Sequence, residues 1–496
     1  MSCGPTFRNL RALVSVAAGA ILAGAAPAPI VLRDAPLLFA DDTAIAAQAG
    51  VVRTIHPART RPTPVIEPDR PWEGDRVYTY GSLFHDAATG RFGLWYMSRT
   101  QRPGGTPASA ALRGGGMDIV VWATSTDGVR WEKPALGLHA YDGSTANNIV
   151  ADLHSPAVVV DRFERDPARR FKLLGYHKGG YFASYSADGL RWHAYPKAPV
   201  FTGSDTMSMT QDPRTGEFLA YFKKPSPQVP GRIVWLTRSR DFQTWSEPKL
   251  VFHPDAEDSS WSRHPEQRME VYNMAVLPHA GGFLGLPTMF RVMARTPKEV
   301  KLPPSQSGND GPIDVHLVTS ADGEAWQRTW PRQPVIPRGA PGTFDGGAIL
   351  GVTSNCVHAG DESWMLYTAL TTGHGGAIPR KRLTIGRATW RLHGWASLDA
   401  SPQGGRVETV PLRVAGGTLQ INADASRGQL RAALREADGR PIAGFGFEDF
   451  APLRADATRA VARWQGGRVP GDRPVRVVIE MESVRLYSLS AAAPAP

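Results

Sequence analysis

The chain has 496 residues, 42% apolar and 21% charged, a globular balance that excludes wholesale disorder and leaves room for more than one domain. With 51 Gly and 42 Pro, long helices are disfavoured, because both residues interrupt them. The net charge of +10 comes from scattered Arg rather than a dense basic run, so nucleic acid is not expected as a partner, whereas an anionic glycan stays open.

At the N-terminus, Arg8 and Arg11 precede an apolar stretch over 12–26, followed by small residues around Ala23-Gly24-Ala25-Ala26-Pro27-Ala28. A basic start, an apolar middle and a small-residue zone predict a signal peptide over 1–28, hence a secreted or periplasmic protein. The run is shorter than the ~20 residues a membrane span needs, and no later segment qualifies, so no span is expected after cleavage. Of the two cysteines, Cys3 falls in this segment and Cys356 is left alone.

Residues 29–52 read as a lead-in, and repeats begin after it. Ser125-Thr126-Asp127-Gly128-Val129-Arg130-Trp131 returns as Ser186-Ala187-Asp188-Gly189-Leu190-Arg191-Trp192. It returns again as Ser239-Arg240-Asp241-Phe242-Gln243-Thr244-Trp245, with Phe for Gly, and as Ser320-Ala321-Asp322-Gly323-Glu324-Ala325-Trp326. Each copy closes a β-type run (119–123, 181–185, 233–237 and 315–319). Ser and Asp side chains bond nearby backbone N–H groups, Asp-Gly supplies a positive φ, and the Trp is placed to pack between sheets. These Asp residues are therefore structural. A further strand pair precedes each motif, as in 81–86 with 92–97 and 207–212 with 218–222. Units of about four short strands over about 55–80 residues predict propeller blades. Five fit within 53–400, the fifth ending on a strand at 383–390 that lacks the motif. Closely spaced alternating runs at 407–412, 417–422, 429–434, 475–480 and 483–488 predict a β-sandwich over 401–496. The fold class is all-β: a five-bladed β-propeller followed by a C-terminal β-sandwich.

Trp72-Glu73, Tyr80-Gly81, Leu94-Trp95-Tyr96, the first motif with Glu132-Lys133-Pro134, Tyr141-Asp142-Gly143-Ser144 and Asn147-Asn148-Ile149-Val150 together resemble the bacterial glycosyl hydrolase family 32 N-terminal-like group. The ending, Gly394-Trp395 with Arg485-Leu486-Tyr487-Ser488, is similar to it as well. The resemblance implies a five-bladed propeller of the clan of families 32, 43 and 68, with three inward carboxylates acting on glycan. The blade-one signature Asn-Asp-Pro-Asn-Gly is absent. Arg165-Asp166-Pro167 is present but falls in an outer turn, so Asp166 is read as a turn residue.

Propeller chemistry gathers where the first strands of the blades converge, and glycoside hydrolysis needs one carboxyl group as acid and another as base or nucleophile. Asp205 and Glu270 lie at similar distances before their blades' inner turns. Asp205 is assigned as base or nucleophile, Glu270 as general acid and Glu73 as the carboxylate that positions sugar hydroxyls. Asp75, Asn147, Asn148 and Asp345 are candidates for hydroxyl binding. Trp72, Tyr272 and Phe344 are candidates for stacking on sugar, and His374, in Gly373-His374-Gly375-Gly376, for reaching the funnel. No cofactor is expected and no metal pattern appears, with a structural Ca²⁺ or Na⁺ in the funnel left open. The expected partner is an oligo- or polysaccharide, and oligomeric state is not readable. The leading expectation is a secreted glycoside hydrolase. The alternatives are a non-catalytic carbohydrate-binding propeller and a glycoside phosphorylase, which would need an Arg/His cluster at the funnel.

Overall fold

The computed structural model describes residues 28–33, 35–100, 118–303 and 306–492. The expected signal peptide lies outside these residues, apart from its last position. Five sheets form the larger unit. Blade 1 orders Val77–Asp86, Arg91–Arg99, Asp118–Ser125 and Ile149–Ala151 from the inside outward, and blade 2 orders His154–Val160, Phe171–His177, Gly180–Ser186 and His193–Ala194. Blade 3 has Met207–Gln211, Phe218–Lys223, Val234–Ser239 and Lys249–Phe252, and blade 4 has Arg268–His279, Gly282–Val292, Val318–Ser320 and Gln327–Arg328. Blade 5 has Ala348–Val352, Glu362–Leu370 and Leu383–Arg391, and its outer strand is Arg59–Thr60 from near the N-terminus. The five first strands neighbour one another in chain order, and the fifth returns to the first. The all-β propeller is thus present, and residues 59–60 supply the strand that the fifth repeat lacks.

The recurring turn does what its chemistry predicts. In blade 1 the Ser125 hydroxyl oxygen accepts from Gly128 N (2.8 Å), and one Asp127 oxygen accepts from Val129 N and Arg130 N (both 2.8 Å). Blades 2, 3 and 4 repeat the pattern around Asp188, Asp241 and Asp322. Every turn tip leans on the preceding blade. Trp95 Nε1 donates to Gly189 O (2.7 Å), the Tyr221 hydroxyl donates to Gly323 O (2.9 Å), and Arg387 donates to Asp127 O (3.0 Å). A Cβ on Gly128 would lie 2.8 Å from Trp364, so this tip needs glycine for space as well as for its φ of 68°. The motif Trp residues pack in the seams between blades: Trp192 with Trp95 and Phe171, and Trp245 around Phe242 and Phe201.

Asp166 caps a short turn by accepting from Ala168 N (2.9 Å). In the smaller unit, one sheet orders Ile30–Leu32, Leu412–Val414, Val475–Glu482, Gly405–Thr409 and Ile45–Ala49. The other orders Asp456–Val461, Leu419–Asp424, Val484–Ala491, Ala396–Ala400 and Val51–Ile55. The sheets bury one shared core, including Val407, Ile421, Leu430, Val477 and Leu486. The sandwich therefore takes strands from residues 30–55 and 396–400, which differs from boundaries at 53 and 401. The physical reason is that the N-terminal strands hydrogen-bond to 405–409, 412–414 and 396–400, not to a blade. None of the helices among the described residues is long and apolar enough to cross a membrane.

Candidate functional site

Adjacent blade strands run antiparallel, so three sets of residues share the funnel mouth: starts of first strands, ends of second strands and starts of third strands. In blade 3, Met207 pairs with Phe222 and Val234 with Lys223. Asp205 sits just before the first strand. Ser204 N donates to Lys223 O (2.8 Å) and Lys223 N to Thr206 O (3.1 Å), which clamps this segment to the second strand. From blade 2, the Ser155 hydroxyl donates to Asp205 O (2.7 Å). The main chain of Asp205 is thus held from two blades while 49% of its side chain stays accessible.

Asp205 faces cations. Lys223 Nζ lies 2.6 Å from its Oδ1. Burial by itself would raise the Asp205 carboxyl, but the Lys223 ammonium, with His154 and Arg232, outweighs this and holds it at about 2. Burial lowers Lys223, opposed chiefly by Asp205. Lys223 Nζ and the Arg232 guanidinium both lie over the Tyr272 ring, at 4.9 and 5.1 Å from its centroid. Tyr272 stands at the mouth, but its ring is already faced by cations, which corrects its reading as a sugar platform.

Glu270, 1% exposed, is gripped by two arginines. Arg268 Nε donates to Oε1 (2.7 Å), and Arg232 pairs with Oε2. A Cβ on Gly231 would lie 2.9 Å from the Glu270 side chain, so only glycine lets the Arg232 loop come this close. With a guanidinium on each oxygen and only 1% exposure, Glu270 is turned to the arginines and is not presented to a leaving group. It anchors the arginines, a correction to its assignment as general acid.

His374 also reaches the mouth. Its Nδ1–H donates to Asn309 O (3.1 Å), and its Nε2 accepts from the Tyr272 hydroxyl (3.3 Å). Burial, aided by Arg232, Lys381 and Lys223 and opposed by the Asn309 hydrogen bond, lowers it to about 3, so the ring is neutral. Lys381, 6% exposed, donates to His374 O (2.5 Å). Burial and then Arg76 lower its ammonium to about 8. Tyr80 (3% exposed) and His154 complete the mouth, with ring centroids 5.7 Å apart. The Tyr80 hydroxyl is buried beside that of Tyr272.

The other sequence candidates lie elsewhere. Glu73 is fully buried. Its Oε1 accepts from the Tyr96 hydroxyl (2.5 Å), and its Oε2 accepts from Lys133 (2.8 Å) and from the Asp69 and Arg70 N–H groups. That saturated carboxylate fastens the short turn Pro71–Glu73 to the first blade and has nothing left for a sugar hydroxyl. Asn148 accepts from Trp72 Nε1 (2.7 Å) and donates to Trp122 O (2.7 Å), while Asn147 donates to His139 O (2.7 Å). Both amides and Trp72 are spent on loop structure. Asp345, 3% exposed, accepts from the Tyr367 hydroxyl (2.7 Å) and from Thr343 (3.0 Å), and Phe344 stacks on Tyr367. Asp75 is paired with Arg76, at 2.5 Å from its Nε. Five of the eleven sequence candidates thus became internal fastenings by hydrogen bonding (Glu73, Asn147, Asn148, Trp72, Asp345), because a buried polar group must find partners.

Lys223, Arg232, Arg268, Lys381, His154 and Tyr80 were not anticipated. Their signal was topological: they stand at second-strand ends, at third-strand starts or in the loops between these, and at or near first-strand starts. Among the described residues no group of three or more His, Cys, Asp or Glu is placed to hold a metal ion.

No family model matches the chain, and no curated protein is similar to it in sequence. Solved structures similar to it include an N-acetylgalactosamine deacetylase from F. plautii, 14% identical with a TM-score of 0.42, covering 69% of this chain and 96% of that one. A beta-1,2-mannobiose phosphorylase from Listeria innocua is 10% identical with a TM-score of 0.41, covering 69% and 97%. The catalytic domain of a Coprinopsis cinerea GH62 alpha-L-arabinofuranosidase is 11% identical with a TM-score of 0.40, covering 68% and 97%.

Proposed function

We propose that this protein is an exported enzyme that cleaves glycosidic bonds at the funnel mouth, in the manner of the glycoside hydrolase clan its sequence resembles. The observation that carries the reading is Asp205: a half-exposed carboxylate at the convergence of the first strands, held ionised by Lys223. An ionised carboxylate in that position acts as base toward water, or as nucleophile toward the anomeric carbon. Glu270 serves by aiming Arg232 and Arg268 rather than by proton transfer.

A second reading is favoured by one specific feature, the cationic wall of Lys223, Arg232, Arg268 and Lys381. In phosphorolysis inorganic phosphate replaces water as the attacking group, and such a wall suits it. One assay separates the readings. The protein is incubated with a panel of neutral and acidic glycans, with and without phosphate, and released sugar and sugar phosphate are quantified. Release without phosphate supports hydrolysis, and sugar phosphate formation supports phosphorolysis. Asp205→Asn is expected to lower turnover at least 100-fold under either. If no glycan yields product with the wild type, the protein is a carbohydrate-binding propeller instead.

A further inference from the structure

The cations at the mouth are more numerous than local ion pairing requires. Asp205 pairs with Lys223, and Glu270 takes both Arg232 and Arg268. Lys381 adds another positive charge. Among the described residues its ammonium has the His374 carbonyl as partner and no carboxylate in ion-pair contact. Asp310, the acid that acts on Lys381 through space, spends one oxygen on the N–H groups of Gly311 and Gly375 (both 2.8 Å). An ammonium has three donors, so a Lys381 that gives one N–H to a carbonyl retains two. A lysine buried to 6% exposure with unspent donors is costly unless something negative completes its shell.

The surroundings fit that completion. Arg232, Lys381 and Lys223 all act on His374, and Arg232 acts on Lys223, so positive charge gathers around this imidazole. Tyr272 sits at the centre of this group, with its hydroxyl on His374. The buried Tyr80 hydroxyl lies beside Tyr272 and interacts with its hydroxyl. Lys381 enters from the blade 5 loop and Asp205 from blade 3, and blade 4 lies between them in the ring.

We infer that the Lys381–His374–Tyr272–Arg232 side of the mouth is an oxyanion subsite. Its occupant is either an acidic substituent of the glycan, such as a uronate carboxylate, or inorganic phosphate, and carboxylate and phosphate share the acceptor oxygens that an ammonium and a guanidinium recognise. The subsite rests on the reading of the mouth as a glycan-cleaving site, but its occupancy is measured separately from cleavage.

The test is calorimetric titration of the full chain with glucuronate, glucose and inorganic phosphate, for wild type, Lys381→Met and Asp205→Asn. Wild type is expected to bind glucuronate or phosphate at least tenfold more tightly than glucose. Lys381→Met is expected to lose at least tenfold of that affinity, and Asp205→Asn to retain it. Preference for glucuronate with no phosphate binding assigns the anion to the substrate, whereas phosphate binding assigns it to a co-substrate. Equal binding of glucuronate and glucose together with no phosphate binding overturns the subsite. Unchanged affinity in a folded Lys381→Met also overturns it. If Lys381→Met does not fold, the wild-type comparison decides alone. Absence of cleavage with anion binding intact removes the enzymatic reading and leaves the subsite standing.

Discussion

At the residue scale the decisive contrast is between carboxylates that are spent and the one that is not. Glu73, Glu270 and Asp345 are each at most 3% exposed with their oxygens engaged, whereas Asp205 has half its side chain accessible. The Asp205 carboxyl is depressed to about 2 against 3.8. Its charge therefore supports folding fully above about pH 4, and that support is lost as pH falls through about 2. Wild-type kcat/KM should accordingly hold the Asp205-dependent limb below the ordinary aspartate range. Removing the Lys223 ammonium takes away the main force opposing burial, so Lys223→Met should move the acid limb of the pH–rate profile upward, to the ordinary aspartate range or above it. A profile whose acid limb does not move would show that Lys223 does not set the charge of Asp205. Sequence reasoning selected Asp205 by its place before a first strand. It also selected Glu73 and Asp345, because position along the chain does not tell which way a carboxylate turns.

At the scale of elements, the Ser-x-Asp-Gly-x-x-Trp turn was fully legible, since its hydrogen bonds are local. Its one departure has a tertiary reason. In blades 1, 3 and 5 the second strand offers Trp95, Tyr221 or Trp364 to the next turn tip, which is glycine. Blade 2 has Leu173 and Leu174 there, and the blade 3 turn supplies an aromatic of its own, Phe242, fully buried against Phe218 and Tyr195. Phe242 accepts a φ of 65° to do so, a strain of about 1–2 kcal/mol. Phe242→Gly relieves that strain but opens a cavity worth about 3–5 kcal/mol, so burial wins. The variant should be destabilised by about 1–4 kcal/mol in equilibrium urea unfolding, even though it restores the repeat. A variant as stable as wild type would mean that the seam closes over the gap.

At the scale of the whole molecule, the two units are interleaved in the chain. Arg59–Thr60 completes blade 5, and residues 30–55 complete both sandwich sheets. A fragment of residues 401–492 lacks the partner strands Ile45–Ala49, Val51–Ile55 and Ala396–Ala400, so it should not fold alone. Its circular dichroism and amide dispersion should be those of an unfolded chain, while a cooperative melt would show the sandwich to be autonomous. What the sequence by itself determined are the features with local causes: the turn chemistry, the alternating strands, the all-β class and the succession of blades. Which strand closes the ring, which acids are consumed as fastenings and which cations face Asp205 were decided only by the tertiary structure. These are pairings between residues far apart in the chain. Lys223, Arg232, Lys381 and His374 share one mouth because antiparallel strands return there from different blades, and no local pattern records that return.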